Sequence, residues 1–95
     1  MKIDFDPNKN ARNIQERGLS FLAAARIFLG NTVEADDDRR DYGERRIQSV
    51  GQADGFWYAV VFTWRLDKAE GAYRWIISAR LASRKERRMY AAFFS

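Results

Sequence analysis

The sequence predicts an α+β domain, a mainly antiparallel sheet with helices packed on one face, in the order β-α-α-β-β-β-β-α. Three observations carry this expectation. Phe56 to Arg65 is a long run of aromatic and β-branched residues, the composition of a well-packed strand. Phe21, Ala24, Ala25, Phe28 and Leu29 recur at the spacing of one helix face. Ser83-Arg84-Lys85-Glu86 has the Ser-x-x-Glu form of a capping box that opens a last helix. With 95 residues, positions 1–95 make one domain with one core.

Each element has its own local warrant. Lys2 to Phe5 alternates polar and apolar residues, as a short half-buried strand does. Asp6-Pro7 supplies a side-chain acceptor and then a residue suited to the first helical turn, so a polar helix follows over Asn8 to Arg17 and stops at Gly18. Ser20 caps a second helix, Phe21 to Leu29, ended by Gly30. Thr32 to Ala35 is a short strand leading into the charged loop Asp36 to Gly43. Arg45 to Val50 alternates weakly and is expected to turn at Gly51. Phe56 to Arg65 and Tyr73 to Leu81 form a hairpin across the loop Asp67 to Gly71. In the final helix Met89, Tyr90 and Phe93 are positioned to face the sheet.

Composition bounds the function. Hydrophobic residues make up 46% of the chain, yet no stretch is long enough to span a membrane. The opening residues lack the pattern of a secretory signal, and cysteine is absent, so the expected location is cytoplasmic. Basic residues outnumber acidic ones 17 to 13, and 13 of the 17 are arginine. The planar guanidinium fork suits bidentate phosphate contacts and stacking on bases, so this bias favours a phosphate or nucleic-acid partner. Histidine is absent, which excludes histidine-dependent triads, histidine-based RNA cleavage and histidine metal sites. Asp36-Asp37-Asp38 reads more simply as solvated charge than as a cation cluster, and no cofactor motif occurs.

Side chains alternate across a strand, so parity sorts the hairpin. Phe56, Tyr58, Val60, Phe62 and Trp64 share one face, and Trp57, Ala59, Val61, Thr63 and Arg65 the other. In the last strand Arg74, Ile76, Ser78 and Arg80 oppose Tyr73, Trp75, Ile77 and Ala79. If helices cover the apolar face, Thr63, Arg65, Arg74, Ser78 and Arg80 are expected together on the open one. A plainer reading stands beside this: the arginines form surface ion pairs or the wet face of the last helix, and Trp57 and Trp75 belong to the core.

One reaction class needs only these residue types. RNA cleaved by its own 2′-hydroxyl brings its nucleophile, so the protein must hold the backbone in line, stabilise phosphate charge and manage two proton transfers. Arginine serves the first two tasks, and Glu44 and Lys9 are available for the third.

The blocks Asp6-Pro7-x-Lys9-Asn10, Gly18-Leu19-Ser20-Phe21, Gly43-Glu44-x-Arg46, and Arg74-x-Ile76-Ile77-Ser78-Ala79-Arg80 followed by Glu86-Arg87-x-x-Tyr90 closely resemble the BrnT toxins of bacterial type II toxin–antitoxin pairs. The resemblance runs over nearly the whole chain. It implies a RelE-like fold and a metal-independent endoribonuclease that arrests translation. It further implies a BrnA antitoxin with a ribbon-helix-helix domain, joined to the toxin in a heterotetramer that reaches operator DNA only through the antitoxin. On this resemblance the catalytic positions fall on Arg65 and Arg80, with Glu44 and Lys9 as further members. RNA binding falls to Arg74, Arg84, Lys85, Arg88, Trp57 and Tyr42.

The chain departs from its look-alikes where they carry histidine, having Glu16-Arg17-Gly18 and Arg39-Arg40-Asp41-Tyr42 instead. Tyr42, Glu44 or an arginine must then take over any such role. Two rival functions remain open on sequence: a non-catalytic RNA-binding module, and a corepressor subunit that acts only with its antitoxin.

Overall fold

The computed structural model describes residues 2–39 and 41–94. Arg40 of the charged loop lies outside the described residues. Five strands form one mixed sheet: β1 (Ile3–Phe5), β2 (Thr32–Asp36), β3 (Ile47–Ala53), β4 (Phe56–Asp67) and β5 (Gly71–Leu81), in the order β1-β5-β4-β3-β2. β1 runs parallel to β5, and the other neighbours are antiparallel. Helices α1 (Pro7–Arg17) and α2 (Phe21–Ala25), a 3₁₀ turn (Arg26–Leu29) and α3 (Arg84–Phe93) complete an α+β fold.

The caps act as the sequence implies. Asp6 accepts a hydrogen bond from the Asn8 N–H, and Gly18 closes α1 in the left-handed conformation with its N–H donating to the Ile14 carbonyl. Ser83 and Glu86 complete the capping box of α3. The second helix is shorter than expected, because its last turn tightens into the 3₁₀ segment over Arg26–Leu29. β3 does not turn at Gly51. It continues to Ala53, and the reversal comes at Asp54 and Gly55, both with positive φ, which is the backbone of a two-residue hairpin turn. Gly51 serves packing instead: a Cβ there would stand 3.0 Å from the Ile27 Cβ and 3.2 Å from the Asn31 carbonyl oxygen.

Phe21, Ala24, Ala25 and Ile27 pack on Ile47, Tyr58, Val60, Phe62, Ile76 and Ala79 to form the core. Fully burying a side chain of the size of Phe62 or Ile76 contributes roughly 1.5–3 kcal/mol. Ile76 and Ala79 are both fully buried although they stand three positions apart, which strict alternation forbids. A β-bulge resolves the conflict. Val61 lies opposite Ser78 and Phe62 opposite Ile76, so Ile77 is an extra residue in β5 and the alternation reverses across it.

Two expectations are corrected by this geometry. Arg74 lies on the core face, opposite Trp64, and is separated from Arg80 by the bulge. The helices do not all share one face. α2 and the 3₁₀ turn cover the face of Ile47 and Phe62, whereas α3 packs on the reverse, its Glu86 meeting Gln48 and its Tyr90 ring meeting Trp57. The charged Ser83–Arg88 stretch leaves α3 with no buried residue, so it covers only one end of that reverse face, against β2 and β3.

Candidate functional site

Beyond α3 the reverse face is built from the outward residues of β4 and β5. Ala59, Val61 and Thr63 of β4 are buried there, Thr63 Oγ1 donating to the Arg45 carbonyl, whereas Trp75, Ser78 and Arg80 of β5 are half-buried and Arg65 is exposed. Thr63 pairs with Trp75, Arg65 with Tyr73, Val61 with Ser78 and Ala59 with Arg80, so Arg65, Thr63, Ser78 and Arg80 share this face. Arg65 is exposed, its guanidinium lying 4.1 Å over the Trp75 ring. Register fixes its distance from Arg80. Six residues of β4 separate Ala59 from Arg65, about 20 Å of strand. Two arginines so far apart do not hold the same phosphate.

Arg80 is held differently. Its Nη1 donates to Glu86 Oε1 at 2.7 Å and its Nη2 to Oε2 at 2.8 Å, with a further Nη1 bond to the Leu81 carbonyl at 3.2 Å. Glu86 also accepts from the Ser83 N–H and from the Gln48 amide. The Arg80 fork, with help from the Ser83 amide, outweighs partial burial and holds the Glu86 carboxyl down at about 2. Arg80 is in turn held above its usual value by the Glu86 hydrogen bonds.

The connection from β2 to β3 borders the same face. Asp37, buried, receives both the Nε and Nη2 of Arg39, and its N–H donates to the Arg46 carbonyl. The Arg39 hydrogen bond draws the Asp37 carboxyl below the ordinary range. Arg46 lies 3.9 Å over the Tyr42 ring. Asp36 is engaged separately by Arg45 at 2.7 Å, so the acidic run is divided between two arginines. Among the described residues no group of three or more carboxylates gathers.

The remaining expected residues are dispersed. Arg74 stacks over Phe28 at 4.1 Å and Trp64 at 4.7 Å on the core face, where burial lowers its pKa. Trp57 is not an open stacking platform: it is half-buried beneath α3, edge-on to Tyr90 and below Arg87. Trp75 and Tyr73, both half-buried, are the rings that β5 places on the side of Arg65. Arg84, Lys85 and Arg88 are exposed on α3, and Lys85 lines a cleft of about 320 Å³ with Val33, Val50 and Met89. Lys9 is exposed on α1 and lines a small cleft with Ile77 and Ser78 beyond β5. Glu44 is exposed on the connection into β3, on the other side of β4. Glu86 and Arg46 are the members that sequence reasoning missed. Arg46 stands in the Gly-Glu-x-Arg block and Glu86 in the capping box, but neither signal shows the tertiary partner that the side chain meets.

The arrangement is a cationic sheet face with an immobilised arginine at one end, a ring-stacked arginine at the other and the Ser78 hydroxyl between. Such a surface can follow a run of phosphates and stack bases. A family model described as "Ribonuclease toxin, BrnT, of type II toxin-antitoxin system" matches residues 5–86. No curated protein matches the chain.

Proposed function

The chain belongs to the BrnT family of ribonuclease toxins of type II toxin–antitoxin systems, and on that basis we propose that it cleaves RNA without a metal ion, by attack of the substrate's own 2′-hydroxyl. The observation that carries this reading is the open face bearing Arg65 and Arg80. An RNA strand laid along it meets the two arginines at different phosphates, since they stand about 20 Å apart along the strand. Arg80, immobilised by Glu86, acts at the scissile phosphate, where a preorganised donor stabilises the charge that develops as O2′ attacks phosphorus and the bond to O5′ breaks. Arg65 grips a flanking phosphate, and Trp75 beside it offers a ring for stacking. The products are a 2′,3′-cyclic phosphate and a 5′-hydroxyl.

Glu44 and Lys9 are the candidates for proton transfer. They flank β4 from opposite sides, so one of them serves the scissile bond and water completes the other transfer. Cleavage of this kind in the cytoplasm arrests translation. A toxin of a type II pair has an antitoxin, and we assign that role to a ribbon-helix-helix protein of the BrnA type that occludes the arginine face, forms a heterotetramer with the toxin and carries the operator contacts.

The test is to incubate the purified chain with unstructured RNA in excess EDTA and to analyse the product ends. Cleavage with cyclic-phosphate ends, abolished when the substrate is 2′-O-methylated, is the expected result. Binding without cleavage would make the chain an RNA-binding module, and cleavage that stops on chelation and returns with a divalent ion would overturn the metal-free mechanism.

A further inference from the structure

Glu86 does more than a helix cap requires. In a capping box one side-chain oxygen returns to the N-cap N–H, a task that glutamine performs as well as glutamate. Here Oε1 accepts from the Ser83 N–H, and yet both oxygens also receive the Arg80 fork while Oε2 takes the Gln48 amide. The negative charge and the second oxygen are therefore surplus to capping and are spent on one arginine.

The effect on Arg80 follows from counting its donors. A guanidinium has five N–H groups. Glu86 takes one from each Nη, and the Leu81 carbonyl takes the second from Nη1. What is left is the Nε–H and one Nη2–H, which lie side by side along one edge of the planar group. That edge has the spacing of a bidentate phosphate contact. The Glu86 side chain is only 17% exposed, against 43% for Arg80, so the anchor is sheltered while the arginine it holds reaches solvent.

We propose that Glu86 is a positioning residue that turns the Nε–Nη2 edge of Arg80 toward an RNA phosphodiester. The inference rests on the reading of the open face as the RNA-cleaving surface. It also accounts for the place of α3: this helix carries no buried residue, and its first turn links β5 to β3 through one carboxylate.

A double-mutant cycle under single-turnover conditions tests it, with wild type, Glu86→Gln, Arg80→Ala and the double variant assayed for RNA cleavage and for urea midpoint. Glu86→Gln keeps the cap and is expected to lower the rate at saturating protein on the order of tenfold to a hundredfold, as a misaligned catalytic group does. In the Arg80→Ala background the same change is expected to leave the rate where it was. Glu86→Asp keeps the charge but shortens the reach, and serves as the second variant if glutamine prevents folding.

Full activity of Glu86→Gln beside a crippled Arg80→Ala would overturn the positioning role and leave the proposed function intact. An equal loss from Glu86→Gln in both backgrounds would overturn it too, since Glu86 would then act independently of Arg80. Wild-type activity of Arg80→Ala would remove Arg80 from the reaction and this inference with it. If the wild-type chain binds RNA without cutting it, the same cycle read as affinity for a 2′-O-methyl oligonucleotide decides the matter, and absence of binding by wild type overturns both readings.

Discussion

Arg74 and Arg80 stand six residues apart on one strand yet on opposite faces of the sheet, because Ile77 is inserted between them. Regular alternation would have put both on the same side. The bulge commits Arg74 to the rings of Phe28, Phe62 and Trp64 and keeps Arg80 on the surface where Arg65 and Ser78 also emerge.

Arg74→Met therefore separates stability from function. Methionine keeps the stem over Phe28 and Trp64 and removes the charge, so the loss includes that of the cation–π stacking, about 0.5–2 kcal/mol. Urea titration is expected to show this destabilisation while the cleavage rate of the folded variant stays at the wild-type level. A loss of cleavage as deep as that of Arg80→Ala would return Arg74 to the RNA surface.

Acid should loosen the attachment of α3. The folded-state value of Glu86, about 2, lies below its usual 4.5 because the Arg80 fork favours the carboxylate. A depressed carboxyl contributes stability that is fully present above the usual value and is lost as pH falls through the folded one. Wild type is expected to lose stability between pH 4.5 and 2, and Glu86→Gln to lose less over that window, with Asp37 and Asp67 supplying the remainder. Parallel urea midpoints for the two proteins across this range would contradict the coupling.

Gly51 is required by close approach, not by a turn. An added methyl would meet Ile27, Thr32 and a backbone carbonyl within 3.2 Å, in a region that the core holds rigid. Gly51→Ala is expected to cost about 1–3 kcal/mol by thermal or urea unfolding. A variant as stable as wild type would show that the 3₁₀ turn shifts freely over β3.

The elements whose signals are local were legible in the sequence. Asp6-Pro7, Gly18, Ser20 and the Ser83–Glu86 box each act within a few residues, and each sits where its chemistry predicts. The parity of β5 was legible only from Ser78 onward, since a bulge depends on how two strands satisfy one core and not on either strand alone. The Asp54-Gly55 turn was present in the sequence but hidden by Gly51, a glycine that signals packing and resembles a breaker. The side of the sheet taken by α3 was not legible, because its polar first turn is anchored by a tertiary contact, Glu86 with Arg80 and Gln48, and not by an apolar stripe.

We propose that Arg80 and Arg65 divide the work on one RNA strand. That division is tested most directly by single-turnover cleavage in excess EDTA, with the saturating rate and the half-saturating protein concentration measured for wild type, Arg80→Ala and Arg65→Ala. Loss of a preorganised donor at the scissile phosphate predicts a rate lower by ~10² to 10³ for Arg80→Ala, with little change in half-saturation. Loss of a flanking phosphate contact predicts weaker half-saturation for Arg65→Ala with the saturating rate largely kept. Wild-type rates and half-saturation for both folded variants would contradict the claim.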